Sequence, residues 1–274
     1  MPELPEVESI KNELLPHIVG RYISSLTMFW SGIVHQPSVE EFCSRLIGQK
    51  ITVVARRGKY LIFSLGSGEA LIVHLKMSGS LLLKPLSAEP DKYTRAIIYL
   101  DNELQLCFRD PRKLGAMWLV GDIDSIVGKL GPEPLAASFT PQLLLERLAK
   151  RGAPIKAILC DQTFVAGIGN MYADEALFSA RIHPLRLGKS LSQDEVERLY
   201  HSIQEVLSLA IGYKGASVDT YLRPSGELGT AHFHFQVAHR LSGNLCPVCG
   251  TPIERIAVRN RGTYFCPKCQ PATR

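Results

Sequence analysis

Apolar residues recur at two different periods along this chain, and the switch between them divides it. From residue 21 to about 120, short runs of β-branched, aromatic and aliphatic residues alternate with glycines and polar turns. This spacing predicts strands at 22–30, 51–55, 60–65, 70–75, 96–100, 104–108 and 116–120, with one helix at 39–47 between them. So many short strands at close intervals predict a sandwich or barrel. Gly131-Pro132-Glu133-Pro134 reads as a linker, and beyond it the period becomes helical. Helices are predicted at 141–150, 155–161, 171–179 and 192–211. Ahead of all the strands, Val7, Ile10 and Leu14 share one helical face while Glu6, Glu8 and Glu13 face away. Pro5 suits a first turn, so that helix is expected to begin near Pro5. Residues 212–242 carry Gly215, Gly226 and Gly229 with little periodicity and predict a partly mobile loop. Within it His232 and His234 alternate with Phe233 and Phe235, which reads as one polar face of a strand rather than a metal pair.

A chain of 274 residues with 46 % hydrophobic content has room for two domains or one large one. Its formal charge of +5 is compatible with an anionic partner without requiring one. No apolar run approaches the roughly 18 residues of a membrane span, and the start is acidic where a signal peptide is basic. The expectation is a soluble intracellular protein. Cysteine usage is more specific. Of the seven, Cys43, Cys107 and Cys160 stand alone and read as small buried hydrophobes, whereas four crowd the tail. Cys246-Pro247-Val248-Cys249 and Cys266-Pro267-Lys268-Cys269 are paired turns separated by sixteen residues. That spacing places four thiolates around one structural Zn2+, with the intervening residues as a hairpin. Four sulfur ligands leave no open position, so the metal folds the tail and does not catalyse. The hairpin carries Arg255, Arg259 and Arg261, which suit phosphate contacts or simply a solvated basic face.

The first residues offer a different chemistry. Removal of Met1 makes Pro2 the terminal residue, a secondary amine whose adduct with an aldehydic carbon is a charged iminium. An α-amine titrates near 7.7–8.0 when unperturbed, so part of it is nucleophilic at neutral pH. Glu3 beside it can donate or accept a proton. Taken alone, these residues favour the plainer reading of a processed start followed by a proline-capped helix. Three further stretches bear cations or exposed apolar groups. They are Arg56-Arg57-Gly58-Lys59, His74-Leu75-Lys76-Met77-Ser78-Gly79-Ser80 with Met77 in a turn, and Arg109-Asp110-Pro111-Arg112-Lys113-Leu114-Gly115. In the last, an arginine and an apolar wedge share one loop, as a protein entering a base stack requires. Gly167-Ile168-Gly169-Asn170 is either a phosphate-holding turn or only a helix start.

In this order, Pro-Glu-Leu-Pro-Glu-Val-Glu, Arg-Arg-Gly-Lys-Tyr-Leu, His-Leu-Lys-Met-Ser-Gly-Ser, Asp-Pro-Arg, Gly-Ile-Gly-Asn-Met-Tyr-Ala-Asp-Glu and the four cysteines resemble bacterial formamidopyrimidine-DNA glycosylase. The likeness spans essentially the whole chain. It implies a multidomain α+β fold: an N-terminal β-sandwich with an N-terminal helix (1–130), a helical domain with a helix–two-turn–helix element (131–240), and a zinc hairpin (241–274). It implies a repair enzyme that flips oxidised purines out of double-stranded DNA, with the cleft between domains as its active site. Excision is followed by β,δ-elimination through a proline Schiff base. By resemblance, Pro2, Glu3, Lys59 and Arg261 are catalytic. Met77, Arg112 and Leu114 fill the gap left by the flipped base, with Arg112 facing the orphaned cytosine, and His74, Arg151 and Asn170 hold phosphates.

Some positions depart from the family pattern. Leu114 stands where phenylalanine is usual, Lys113 replaces a second arginine, and Tyr93 falls near a DNA-contacting histidine. Val237-Ala238-His239-Arg240 replaces Val-Tyr-Gly-Arg, and 216–221 is atypical for the loop over the flipped base. These changes bear on lesion preference more than on reaction type. An endonuclease VIII-like enzyme for oxidised pyrimidines shares the architecture, although Leu4 disfavours it. A non-catalytic DNA-binding protein would have no use for Pro2, Glu3 and Lys59. A cytoplasmic, nucleoid-associated monomer is expected.

Overall fold

The structure, a computed structural model, describes residues 1–239 and 243–272. Contacts group the chain into two compact units, Met1–Lys129 with Ile211–His232, and Leu130–Ala210 with Phe233–Arg274. Residues 211–232, assigned from sequence to the helical segment, thus fold with the first unit. The expected boundary at 240/241 and Arg240 lie outside the described residues.

The first unit begins with α1 (Leu4–Ile18), followed by β1 (Ile23–Met28), β2 (Val34–Gln36), α2 (Val39–Leu46), β3 (Ile51–Arg57), β4 (Tyr60–Leu65) and β5 (Ala70–His74). β6 (Ser80–Pro85), β7 (Thr94–Leu100), β8 (Leu104–Arg109), β9 (Ala116–Val120) and the short α3 (Asp124–Val127) complete it. The strands form a four-stranded sheet in the order β1-β7-β8-β6 and a five-stranded sheet in the order β2-β9-β5-β4-β3. All neighbours are antiparallel except β2 and β9. One core joins them: Leu81, Ile98 and Leu106 from the first sheet pack with Leu61, Phe63, Val73 and Met117 from the second. The architecture is a β-sandwich. Val7, Ile10, Leu14 and Ile18 of α1 enter the same core, as their spacing predicts. Two strands, β2 and β6, were not expected from the sequence.

In the second unit, α4 (Pro141–Ala149), α5 (Ile155–Leu159), α6 (Asn170–Ser179) and α7 (Gln193–Gly212, which ends across the unit boundary) precede the hairpin of β10 (Glu254–Val258) and β11 (Arg261–Phe265). Arg259 and Asn260 link those strands with φ of 45° and 63°, the geometry of a tight two-residue hairpin turn. The expected strand around His232 and His234 is instead a single 3₁₀ turn, Ala231–His234. Ala231 is buried while Phe233 is exposed, so these residues do not alternate between the faces of a sheet. Cys107 and Cys160 are buried and Cys43 is half-buried. No helix among the described residues is long and apolar enough to cross a membrane.

Candidate active site and nucleic-acid interface

The chain start is held by reciprocal capping of α1. Glu3 is the N-cap, and its backbone N–H donates to Glu6 Oε2 at 2.7 Å. The other Glu6 oxygen accepts the Ala216 N–H at 2.8 Å, so one buried carboxylate joins the chain start to the segment after α7. Gly215 makes that approach possible: it has φ of 79°, and a Cβ there would lie 3.0 Å from Glu6 Oε1. The same segment is tied down elsewhere. Arg223 Nε donates to Glu13 at 3.0 Å, Leu83 N–H to Pro224 O at 2.9 Å, and the buried Tyr221 hydroxyl to Lys214 O at 3.0 Å. The loop expected to be mobile is therefore anchored on α1 and β6. Pro2 and Glu3 are buried at this tip.

Lys59 occupies the β3–β4 turn and is buried. That turn is linked to α1 by Arg56, whose Nε donates to Glu8 Oε2 at 2.7 Å while its guanidinium also donates to Gly58 O. The pairing of Tyr60 with His74 brings the neighbourhood of Lys59 beside β5. Burial, with Lys76 and Lys59 nearby, lowers the His74 pKa to about 3. Its Nδ1 accepts the Lys76 N–H at 2.9 Å, so the ring is neutral and its proton sits on Nε2. A neutral imidazole N–H remains a competent phosphate donor.

The turn containing Met77 and the loop containing Arg112 and Leu114 meet through Asp110, which is completely buried. Its Oδ2 accepts the N–H groups of Leu114 and Gly115, each at 2.7 Å, and its Oδ1 accepts the Ser78 hydroxyl and the Arg112 N–H. Arg95 Nε donates to the Asp110 carbonyl at 2.8 Å. One carboxylate thus fixes both loops and turns Met77, Arg112 and Leu114 outward, with an Arg112 nitrogen 3.5 Å from Met77 Sδ. Met77 and Leu114 are 46 % and 41 % exposed, so the two adjoining loops present apolar side chains to solvent beside Arg112. Tyr93 lies half-buried under the Arg109 guanidinium, 4.8 Å from its ring centre.

In the second unit, Asn170 opens α6 and donates from Nδ2 to Gly262 O at 2.9 Å, which brings it beside Arg261 on the hairpin. Its buried Oδ1 has no protein partner. Lys156 is fully buried, pairs with Asp174 and donates to Asn170 O at 3.0 Å; Asp174 in turn accepts the Tyr264 N–H. α5, α6 and β11 are thereby locked around Asn170. The Gly167 N–H is taken by Gln162 Oε1 at 2.9 Å, so that amide is committed within the protein. Arg151 stands over Phe164 and lies 3.6 Å from Asp161. Arg261 is exposed.

The sulfurs of Cys246, Cys249, Cys266 and Cys269 all lie within 4.8 Å of one another. Burial and the neighbouring thiols push Cys269 up to about 12, while hydrogen bonds from Thr251 bring Cys249 down to about 6. Four sulfurs this close carry their negative charge together only around a cation, and the all-thiol donor set fits zinc. Asp110, Glu6 and the Lys156–Asp174 pair were not recognised from the sequence. Their local signal was slight, an aspartate before proline and charged residues inside helices.

Three family descriptions cover the chain: Formamidopyrimidine-DNA glycosylase N-terminal domain at 1–117, Formamidopyrimidine-DNA glycosylase H2TH domain at 130–221, and Zinc finger found in FPG and IleRS at 243–272. A formamidopyrimidine-DNA glycosylase of Symbiobacterium thermophilum is 44 % identical over 99 % of this chain and 90 % of its own. The chain belongs to the formamidopyrimidine-DNA glycosylase family. It is accordingly a DNA glycosylase of base-excision repair with a structural zinc finger. A Lactococcus lactis variant of the family, solved with DNA containing Fapy-dG, superposes with TM-score 0.92 at 38 % identity, covering 99 % of this chain and 100 % of that one. A second Lactococcus lactis structure, with abasic-site DNA, gives TM-score 0.91 at 37 % identity over 98 % and 100 %.

Proposed function

We propose that this protein excises 8-oxoguanine and formamidopyrimidines from duplex DNA and then cleaves the abasic site by β,δ-elimination, with Pro2 as nucleophile. The observation that carries the reading is the buried Pro2-Glu3 tip of α1, held by Glu6. Once Met1 is removed, the Pro2 nitrogen forms a bond to C1′ of the damaged nucleotide as the glycosidic bond breaks and the base departs. Glu3 protonates the ring oxygen O4′ as the C1′–O4′ bond breaks, which opens the sugar and leaves a C1′=N iminium. The resulting iminium acidifies C2′, so loss of that proton breaks the C3′–O bond, and a second elimination breaks the C5′–O bond. Lys59 acts at the sugar and its phosphate, and Arg261 grips a phosphate during the second elimination. Met77, Arg112 and Leu114 occupy the vacated stack, while His74, Tyr93, Arg151 and Asn170 hold the backbone. Cys246, Cys249, Cys266 and Cys269 hold zinc, which supplies folding energy to the hairpin.

Relatives solved with Fapy-dG and abasic-site DNA support both halves of the reaction. One chain suffices for this work, in the cytoplasm and at the nucleoid. Residues 1–130 carry Pro2, Glu3 and Lys59 together with the side chains that enter the duplex, 131–240 add the backbone contacts of Arg151 and Asn170, and the zinc hairpin of 241–274 supplies Arg261. Glu3→Gln tests the reading: it binds a lesion duplex but releases no 8-oxoguanine, and release at the wild-type rate refutes the assignment. Preferential excision of an oxidised pyrimidine would instead favour an endonuclease VIII-like specificity.

A further inference from the structure

The loop that carries Arg112 and Leu114 has one residue between them, Lys113, and the structure gives that residue a specific seat. Lys113 is a non-glycine residue in the left-handed region, with φ of 56°. Its ammonium lies 5.3 Å from the ring centre of Trp30, in the range of a cation–π contact. Trp30 is itself fixed. Its indole lies directly against Gly32, where a Cβ would stand 2.4 Å from the ring. The backbone N–H of Trp30 donates to Arg95 O at 3.1 Å, and the Arg95 side chain donates to the carbonyl of Asp110, the residue that organises the same loop. The indole thus reaches the loop through the side chain of Lys113, while the backbone at position 30 is joined to the same loop through Arg95 whatever its side chain.

We propose that Trp30 is a positioning residue for DNA recognition: seated on Gly32, it holds Lys113, and through it Arg112 and Leu114, in the conformation that enters the duplex. This inference rests on the proposed role of Arg112 and Leu114. Its mechanism is preorganisation, because a loop already held outward loses less freedom on binding. The contact is more consequential here than beside an aromatic wedge, since Leu114 offers no ring to stack between bases.

The test is a double-mutant cycle read by affinity for a duplex carrying a stable abasic-site analogue opposite cytosine. An exposed cation–π contact of about 0.5–1 kcal/mol corresponds to a loss of roughly 2–5-fold. Trp30→Leu and Lys113→Met are each expected to weaken binding by that factor, the double variant is expected to bind no worse than either, and Lys113→Arg is expected to restore near-wild-type affinity. Salt dependence separates an internal contact from a direct one. Lys113→Met should leave the slope of log K against log salt unchanged, whereas a lost phosphate contact flattens it by about 0.9. Losses that multiply in the double variant, a flattened slope, or wild-type affinity in Lys113→Met overturns the proposal. Lys113 is exposed, so its variants keep the test decisive should Trp30→Leu fail to fold. Arg112→Ala is the control for the underlying reading: if it binds the lesion duplex like wild type, the loop does not enter DNA at all. If Arg112→Ala weakens binding and the Lys113 and Trp30 variants do not, only the present inference fails.

Discussion

Replacing Asp110 by asparagine should destabilise the first unit and unfasten its DNA-reading loops while leaving their outward side chains chemically unchanged. The carboxylate receives four donors, two on each oxygen, from Ser78, Arg112, Leu114 and Gly115, and has no exposure to water. An amide of the same shape keeps one acceptor oxygen. If that oxygen faces Leu114 and Gly115, its NH2 group can still donate to Ser78 but must confront the Arg112 N–H. The two retained backbone bonds also lose charge assistance. Hydrogen bonds to charged groups contribute about 1.5–3 kcal/mol against roughly 1 for neutral ones, so the expected net loss is about 2–3 kcal/mol. Both tryptophans of the chain, Trp30 and Trp118, lie in the first unit, which makes fluorescence-monitored urea unfolding a selective assay of it. With a urea slope of about 1–3 kcal/mol per molar, the midpoint should fall by about 1 M. A midpoint unchanged within 0.2 M, taken as roughly the resolution of such curves, would refute the view of Asp110 as the hub of these loops.

The same assay should show pH dependence from His74. Its folded pKa of about 3 lies below the ordinary 6.5, so the unfolded chain takes up the proton first. Stability is full above about 6.5 and is lost as pH falls toward 3, at up to about 1.4 kcal/mol per pH unit. His74→Gln should flatten the decline between about pH 6.5 and 5, before most carboxylates titrate, and an unaltered profile there contradicts the assignment. Cys249→Ala should lose the bound zinc, measured by elemental analysis, and weaken binding to damaged and undamaged duplexes alike. Selective loss for the lesion alone would mean that the hairpin reads the damage instead of the backbone.

Parts of this architecture were legible locally and parts were not. β4 and β9 match the predicted ranges because Tyr60–Leu65 and Ala116–Val120 are compact apolar runs bounded by turn residues. β6 was missed because Ser80–Pro85 is a leucine run without β-branched residues that ends in proline, and β2 because three residues carry no period. The four cysteines announced their own cluster, since two short turns determine most of its geometry. By contrast, the docking of 211–232 on the first unit depends on Glu6 and Glu13, two hundred positions away in sequence, and no local pattern encodes it. The buried Lys156–Asp174 pair was likewise hidden, because charged residues within helices ordinarily face water.

The central claim is the nucleophilic Pro2, and borohydride trapping tests it most directly. The purified protein, its first residue verified by mass, is incubated with duplexes carrying 8-oxoguanine opposite cytosine, and the reduced adduct is mapped by peptide sequencing. The account predicts a cross-link on the nitrogen of Pro2. An adduct on a lysine instead, or none from protein lacking Met1, contradicts it.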